Sequence, residues 1–306
     1  MNYTRTILMG CAMFVAFAMS DRLGGEPSVP PPTTRGRRSQ DNWLKPILGL
    51  QLWSLRAEMK QDVRAALDLV PKYGLSRVEI AGTGGMSPAA FRGLLDERGL
   101  VPVGAHYGYG RLQGDLQGVI AEAKILGVKY VICPALPRGI VREWNPTEIS
   151  RFAADLNTWG RSLRAAGLRL ACHTHGEEFA PADSGSPETL LNLLLRETDP
   201  EFVCFEMDVF WVVHAGRDPV ELLARHPGRW HLMHVKDIRP GAITGLFTGR
   251  APSTDNVPVG AGQMDWLRLL QAAHAAGVLY YFIEDESTAP LQNIPLSLSY
   301  LRNLDL

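Results

Sequence analysis

From Leu44 onward, short apolar runs alternate with amphipathic segments eight times, and that alternation restricts the fold of this chain more than any other feature. The runs ILGLQLW (47–53), RVEIAG (77–82), PVGAHY (102–107) and VKYVICP (128–134) read as strands, each followed by helical periodicity near 60–73, 87–98, 112–126 and 147–166. The scheme repeats with strands at 169–175, 203–210, 230–236 and 279–286 and helices near 186–196, 217–226, 265–276 and 293–303. Gly74, Gly99, Gly127 and Gly167 follow helices at the place where a left-handed cap is wanted. Strict alternation of this kind implies a parallel sheet with right-handed crossovers, and eight units permit closure. The expected fold is therefore α/β: a (β/α)8 TIM barrel filling residues 44–306 as a single domain. An open doubly wound sheet would be expected to carry GxGxxG after its first strand, and none stands there. The stretch 237–263, with Gly241, Gly245, Gly249, Pro252 and Pro258, is the one long insertion, of the length typical of lids and binding loops.

The N-terminus has a different character. Arg5 gives a positive start, ILMGCAMFVAFA (7–18) is an apolar core, and Ala18-Met19-Ser20 offers small residues for cleavage, so residues 1–20 read as a signal peptide. An exported, periplasmic protein is expected, with no other membrane segment. Residues 21–43, rich in Pro, Gly, Ser and Arg, read as a flexible linker. The net charge of -1 provides no basic face for nucleic acid, which argues against a DNA or RNA partner. Beyond the signal segment lie Cys133, Cys172 and Cys204, an odd number set inside strands, where thiols behave as small hydrophobes. No CxxC pair is present to suggest a structural zinc knuckle.

In a parallel barrel the chemistry gathers at the C-terminal ends of the strands. Asp208 and His234 stand at the ends of consecutive strands, and Glu284 stands at the corresponding height of the last one. A carboxylate, an imidazole and a second carboxylate with open positions suit Mn²⁺, Mg²⁺, Co²⁺ or Zn²⁺. His173-Thr174-His175-Gly176-Glu177-Glu178 is the densest group of potential ligands. Spacing does not decide which of His173, His175 and Glu178 binds an ion, and a satisfied, buried His173 is the simpler reading of that residue. Lys236 shares the strand parity of His234 and suits a carbonyl or phosphate oxygen, or an ion pair with a neighbouring carboxylate. Glu79 and His106, at the ends of the second and third strands, are placed to hydrogen-bond sugar hydroxyls. Trp53 and Trp211 offer flat faces for a pyranose ring, or simply packing.

Seven motifs, LGLQLWSLR (48–56), VEIAG (78–82), ACHTHGEEF (171–179), MDVFWVVHAGRDP (207–219), HLMHVKD (231–237), VPVGAGQMDW (257–266) and FIEDE (282–286), run in one order along the chain. From about Ile47 to Leu301 the sequence resembles the sugar phosphate isomerase/epimerase family, the xylose isomerase-like barrels. The resemblance implies a TIM barrel holding one divalent metal with Glu, Asp, His and Glu at the strand ends, with Asp208, His234 and Glu284 as the last three ligands. Many relatives have Glu where His173 stands. In its place the resemblance to HNH-like strands implies Glu178 as the carboxylate ligand, assisted by His175.

A metal chelating a carbonyl and an adjacent hydroxyl acidifies the carbon between them, and His175, Glu178 or Glu284 could then serve as base. Reprotonation on the neighbouring carbon isomerises the sugar, reprotonation on the opposite face epimerises it, and loss of a β-leaving group makes the enzyme a lyase or dehydratase. The expected function is a divalent-metal-dependent isomerase/epimerase acting by enolisation of a sugar or keto-sugar. Its catalytic residues are His175, Glu284 and Lys236; Glu79, His106, His173 and Trp211 contact the carbohydrate substrate. The alternatives are a metal-dependent lyase acting on keto-glycosides and a non-catalytic carbohydrate-binding barrel. An abasic-site nuclease would share the barrel, yet near-neutral charge and an export signal oppose it. Self-association to a homo-oligomer is left open.

Overall fold

Each of the eight apolar runs forms a strand, and the strands close on themselves. The protein is described by a computed structural model covering residues 42–136 and 145–306. The expected signal peptide (1–20) and nearly all of the linker (21–43) lie outside the described residues. The strands are β1 (Leu48–Gln51), β2 (Arg77–Ile80), β3 (Val101–His106), β4 (Tyr130–Cys133), β5 (Arg169–Thr174), β6 (Val203–Asp208), β7 (Trp230–Val235), β8 (Asp237–Ile238), β9 (Asn256–Val257) and β10 (Tyr280–Ile283). All but β8 and β9 form a closed barrel in the order β1-β10-β7-β6-β5-β4-β3-β2. Every pairing within it is parallel, and β10 closes the ring on β1 with Leu48 opposite Tyr281.

Successive side chains in a strand face opposite ways, so each barrel strand builds two cores at once. Facing outward, Phe205, Met207, Met233, Val235, Tyr281 and Ile283 pack into the large core beneath the helices. Facing inward, Val103, Tyr130, Ile132, Ala171, Cys204, Leu232 and Phe282 form a separate apolar plug. Two residues further along the same inward parity, the plug gives way to polar groups: Cys204 is followed by Glu206 and Asp208, Ala171 by His173, and Leu232 by His234 and Lys236. This change from apolar to polar layers puts the functional side chains at the C-terminal mouth.

The helix Pro146–Ala165 shows how the outer layer is specified. Asn145 caps it by accepting from the N–H of Glu148, a contact worth about 1 kcal/mol. Its buried stripe of Ile149, Phe152, Leu156, Trp159 and Leu163 follows helical spacing. Two segments expected to be single helices are each divided in two. Asp62 separates Arg56–Gln61 from Val63–Lys72 because its carboxylate accepts from the N–H groups of Arg64 and Ala65 and starts a new helix. Asp115 does the same between Tyr109–Gly114 and Leu116–Leu126, accepting from Gly118. Gly127 ends the latter helix in the left-handed region at φ 73°. The run expected as strand to residue 210 stops at Asp208, which caps a short helix Val209–His214 by accepting from Phe210 N–H.

The insertion 237–263 is partly fixed. Its ends pair as the antiparallel strands β8 and β9. The buried carboxylate of Asp237 gathers the N–H groups of Ile238, Gly260 and Gly262 and the indole N–H of Trp266. Cys133, Cys172 and Cys204 are buried free thiols, as their strand positions suggested; burial pushes Cys133 and Cys204 up to about 12, which keeps them protonated and unreactive. Among the described residues no helix is long and apolar enough to cross a membrane.

Candidate active site at the barrel mouth

His234 is the hub of the polar layers. Its side chain is fully enclosed, and each ring nitrogen faces carboxylates. Nε2 lies 2.8 Å from Glu79 Oε1 and 3.3 Å from Glu206 Oε2, on the deep side. Nδ1 lies 3.2 Å from Glu284 Oε2 and 3.8 Å from Asp208 Oδ2, on the rim side. The three residues marked at the strand ends, Asp208, His234 and Glu284, therefore meet around one imidazole nitrogen.

Beneath the rim, His106 Nε2 sits 2.8 Å from Glu79 Oε1 and 3.6 Å from Glu206 Oε2, and His173 Nδ1 sits 2.9 Å from Glu206 Oε2. Gln51 donates its amide to Glu79; its own Oε1 accepts from Trp53 N–H at 2.9 Å, which fixes the direction of the amide. At the rim, Lys236 Nζ donates to Asp208 at 3.4 Å and to Glu284 at 3.1 Å, and it also pairs with Glu286. Its stem runs past Phe210 and Trp211, whose ring centroids are 5.2 and 5.5 Å from the ammonium.

Charge alternates through these layers, and the pKa shifts follow from that. Burial disfavours a charged His234, but Glu206, Glu284 and Glu79 outweigh it and hold the imidazolium well above its ordinary range. Burial works the same way on His106, and the carboxylates of Glu79 and Glu206 overcome it to push the ring to about 9. Glu206 is held well below the carboxylate range against its burial by His234, His106 and His173. Glu284 is lowered likewise, with Lys236 and His234 overcoming burial. Lys236, although buried, is raised by Asp208, Glu284 and Glu286 and keeps its charge.

Above these layers opens a cavity of about 410 Å³, within the range of small-ligand sites. His106, His173, His175, Lys236, Trp211 and Glu284 are among its walls. His175 stacks edge-on against His173 at 4.6 Å and lies 5.6 Å from Trp211. Trp53 stands at the entrance, 45% exposed, its indole N–H donating to Glu286.

Among the described residues two groups of side chains could hold a metal ion: Glu79, His106, Glu206 and His234, and His173, Asp208 and His234. Glu79, marked in the sequence as a sugar contact, is wholly buried beneath the cavity, and its Oε1 faces the imidazoles of His106 and His234. Glu178, marked as a metal ligand, sits in the turn Glu177–Phe179, where its Oε2 accepts from the backbone N–H of His175. Glu206 is the participant that sequence reasoning missed. Its signal was present in the CFEMD run, where it shares the inward parity of Asp208.

Residues 67–304 match the family described as the xylose isomerase-like TIM barrel. An inosose dehydratase of Mesomycoplasma hyopneumoniae (strain J) is 30% identical over 212 residues, a match covering 62% of this chain and 69% of the relative. Two crystal structures of sugar phosphate isomerase/epimerases from Parabacteroides distasonis are 25% identical, with TM-scores of 0.67 and 0.70. They cover 83% and 84% of this chain and 92% and 98% of their own.

Proposed function

The chain belongs to the xylose isomerase-like TIM barrel family, and from that premise we propose that it is a divalent-metal-assisted enzyme that enolises a keto-sugar or cyclic keto-polyol. The observation that carries this reading is the stacking of a sugar-sized cavity directly on a buried His, Glu and Asp cluster. The cluster fits a divalent ion: its donors are imidazole nitrogens and carboxylate oxygens. Two of its buried oxygens, Glu79 Oε2 and Glu206 Oε1, have no hydrogen-bond partner among the described residues. When bound, the ion supplies a Lewis acid that polarises a carbonyl and acidifies the adjoining C–H. His234 is common to both donor groups and is a ligand in either.

The chain's own residues supply the rest. Lys236, whose charge Asp208, Glu284 and Glu286 favour, presents a fixed positive group to a developing oxyanion on the cavity wall. Glu284 and Glu286 hold that ammonium in place. His175, on the cavity surface between His173 and Trp211, takes the proton from the carbon beside the carbonyl. In the dehydratase outcome the carbonyl re-forms, the β-hydroxyl leaves with the proton that His175 returns, and water is lost without any redox change. The inosose dehydratase relative supports this outcome. Return of the proton to the former carbonyl carbon, with the hydroxyl proton passing to the former carbonyl oxygen, gives isomerisation, which the Parabacteroides neighbours support.

Incubation with ketoses and inososes in D2O, followed by NMR, tests the reading. Deuterium should enter at the carbon next to the carbonyl, and an unsaturated, dehydrated product should accumulate from the best substrate. Isomerised sugar in place of that product would select the isomerase outcome. Sugar binding without deuterium entry in any compound would reduce the protein to a carbohydrate-binding barrel.

A further inference from the structure

We infer that this barrel seats its divalent ion one layer below the rim, on Glu79, His106, Glu206 and Nε2 of His234, and that the Lys236 ammonium holds the place between Asp208 and Glu284. This rests on the reading that the cluster binds an ion, and it departs from the Asp, His and Glu rim position implied by the family resemblance.

The rim carboxylates already have a cation. Lys236 Nζ reaches Asp208 Oδ2 and Glu284 Oε2 at 3.4 and 3.1 Å, and the lysine is 1% exposed. A divalent ion between the same two oxygens would face the ammonium at close range, where low local dielectric magnifies repulsion.

The deep layer has the opposite character. Its four donor atoms are separated by 2.8 Å (Glu79 to His106), 2.8 Å (Glu79 to His234), 3.3 Å (Glu206 to His234) and 3.6 Å (Glu206 to His106). Ligands bonded at ~2.0–2.1 Å in a tetrahedron lie about 3.3 Å apart; these four separations fall on either side of that value, and all four donors lie within 4.8 Å of one another, close enough to share one ion. Glu79 and Glu206 are wholly buried, and the second oxygen of each, Glu79 Oε2 and Glu206 Oε1, is unmet among the described residues. Outer partners orient the carboxylates: Gln51, itself held by Trp53 N–H, on Glu79, and His173 on Glu206. His106 and His234 also line the cavity, which puts an ion held there within reach of a substrate oxygen. Two imidazoles with two carboxylates select zinc or cobalt over magnesium, which takes mostly oxygen ligands in an octahedron.

The test is metal content of the full chain as purified, followed by Co²⁺ titration after chelator treatment, for the wild type and for Glu206→Gln, His106→Asn and Asp208→Ala. The wild type should retain one equivalent of zinc and give the intense visible absorption of four-coordinate Co²⁺. Glu206→Gln and His106→Asn should weaken Co²⁺ binding by more than the roughly 10–100-fold that outer partners cost, while Asp208→Ala keeps the ion and its spectrum. Circular dichroism identifies any variant that fails to fold, and either deep-layer variant alone suffices for the comparison. Loss of the ion from Asp208→Ala with full retention in the folded deep-layer variants would overturn the deep seat and leave the metal-assisted reading standing. A wild type that binds neither zinc nor cobalt would overturn both.

Discussion

Replacing Lys236 with methionine is expected to lower turnover by ~10²–10³-fold, comparable to the loss of an oxyanion-stabilising donor, and to destabilise the protein by about 3–5 kcal/mol. Methionine preserves most of the stem and its contact with Phe210 and Trp211 while removing the charge. Asp208 and Glu284 would then remain buried with no ammonium between them, and Glu286 would lose its cationic partner at the rim. Leaving one side of a buried ion pair uncompensated is among the few mechanisms that produce so large a loss. Arginine should not rescue the variant, because its planar guanidinium does not reproduce the compact ammonium that meets Asp208, Glu284 and Glu286 together. Urea unfolding measures the first effect and substrate turnover the second. A variant as stable and active as the parent would remove Lys236 from the chemistry.

Asp237→Ala is expected to cost about 3–4 kcal/mol, roughly 6–16 °C in Tm for a domain of this size, without touching the cavity. Burial raises the pKa of this carboxyl, while Trp266 and three backbone N–H groups draw it back down. Alanine would leave buried donors on Gly260, Gly262 and Trp266 without their acceptor. It would also release the return leg of the insertion, because a Cβ added at Gly262 would lie 2.0 Å from Asp237 Oδ1, which shows how closely that leg is drawn in. Thermal melting reads the stability loss, and limited proteolysis between residues 239 and 262 reads the loosening. An unchanged Tm would mean that other contacts fix the insertion.

The barrel was legible because burial imposes two different periods, and both survive in the sequence. Strands β1 to β7 and β10 stand out as apolar runs because they are covered on both faces. Helix divisions at Asp62 and Asp115 were hidden because apolar spacing runs on across a single capping residue, although both are good cap residues. In the site, Asp208, His234 and Glu284 could be found from strand ends alone. Glu206 escaped because it lies within the run and not at its end, and a carboxylate there is affordable only with His106, His173 and His234 around it, partners that come from three other strands. Glu178 depended on a turn whose direction no spacing rule fixes; the turn brings it back to the N–H of His175.

Solvent exchange at the carbon beside the substrate carbonyl, followed by NMR in D2O before and after chelation, is the most direct measurement of ion-assisted enolisation at this mouth. The loaded protein should exchange that hydrogen, stripping should slow exchange by ~10²-fold or more, and added zinc or cobalt should restore it. Exchange that proceeds undiminished in fully stripped protein would contradict it.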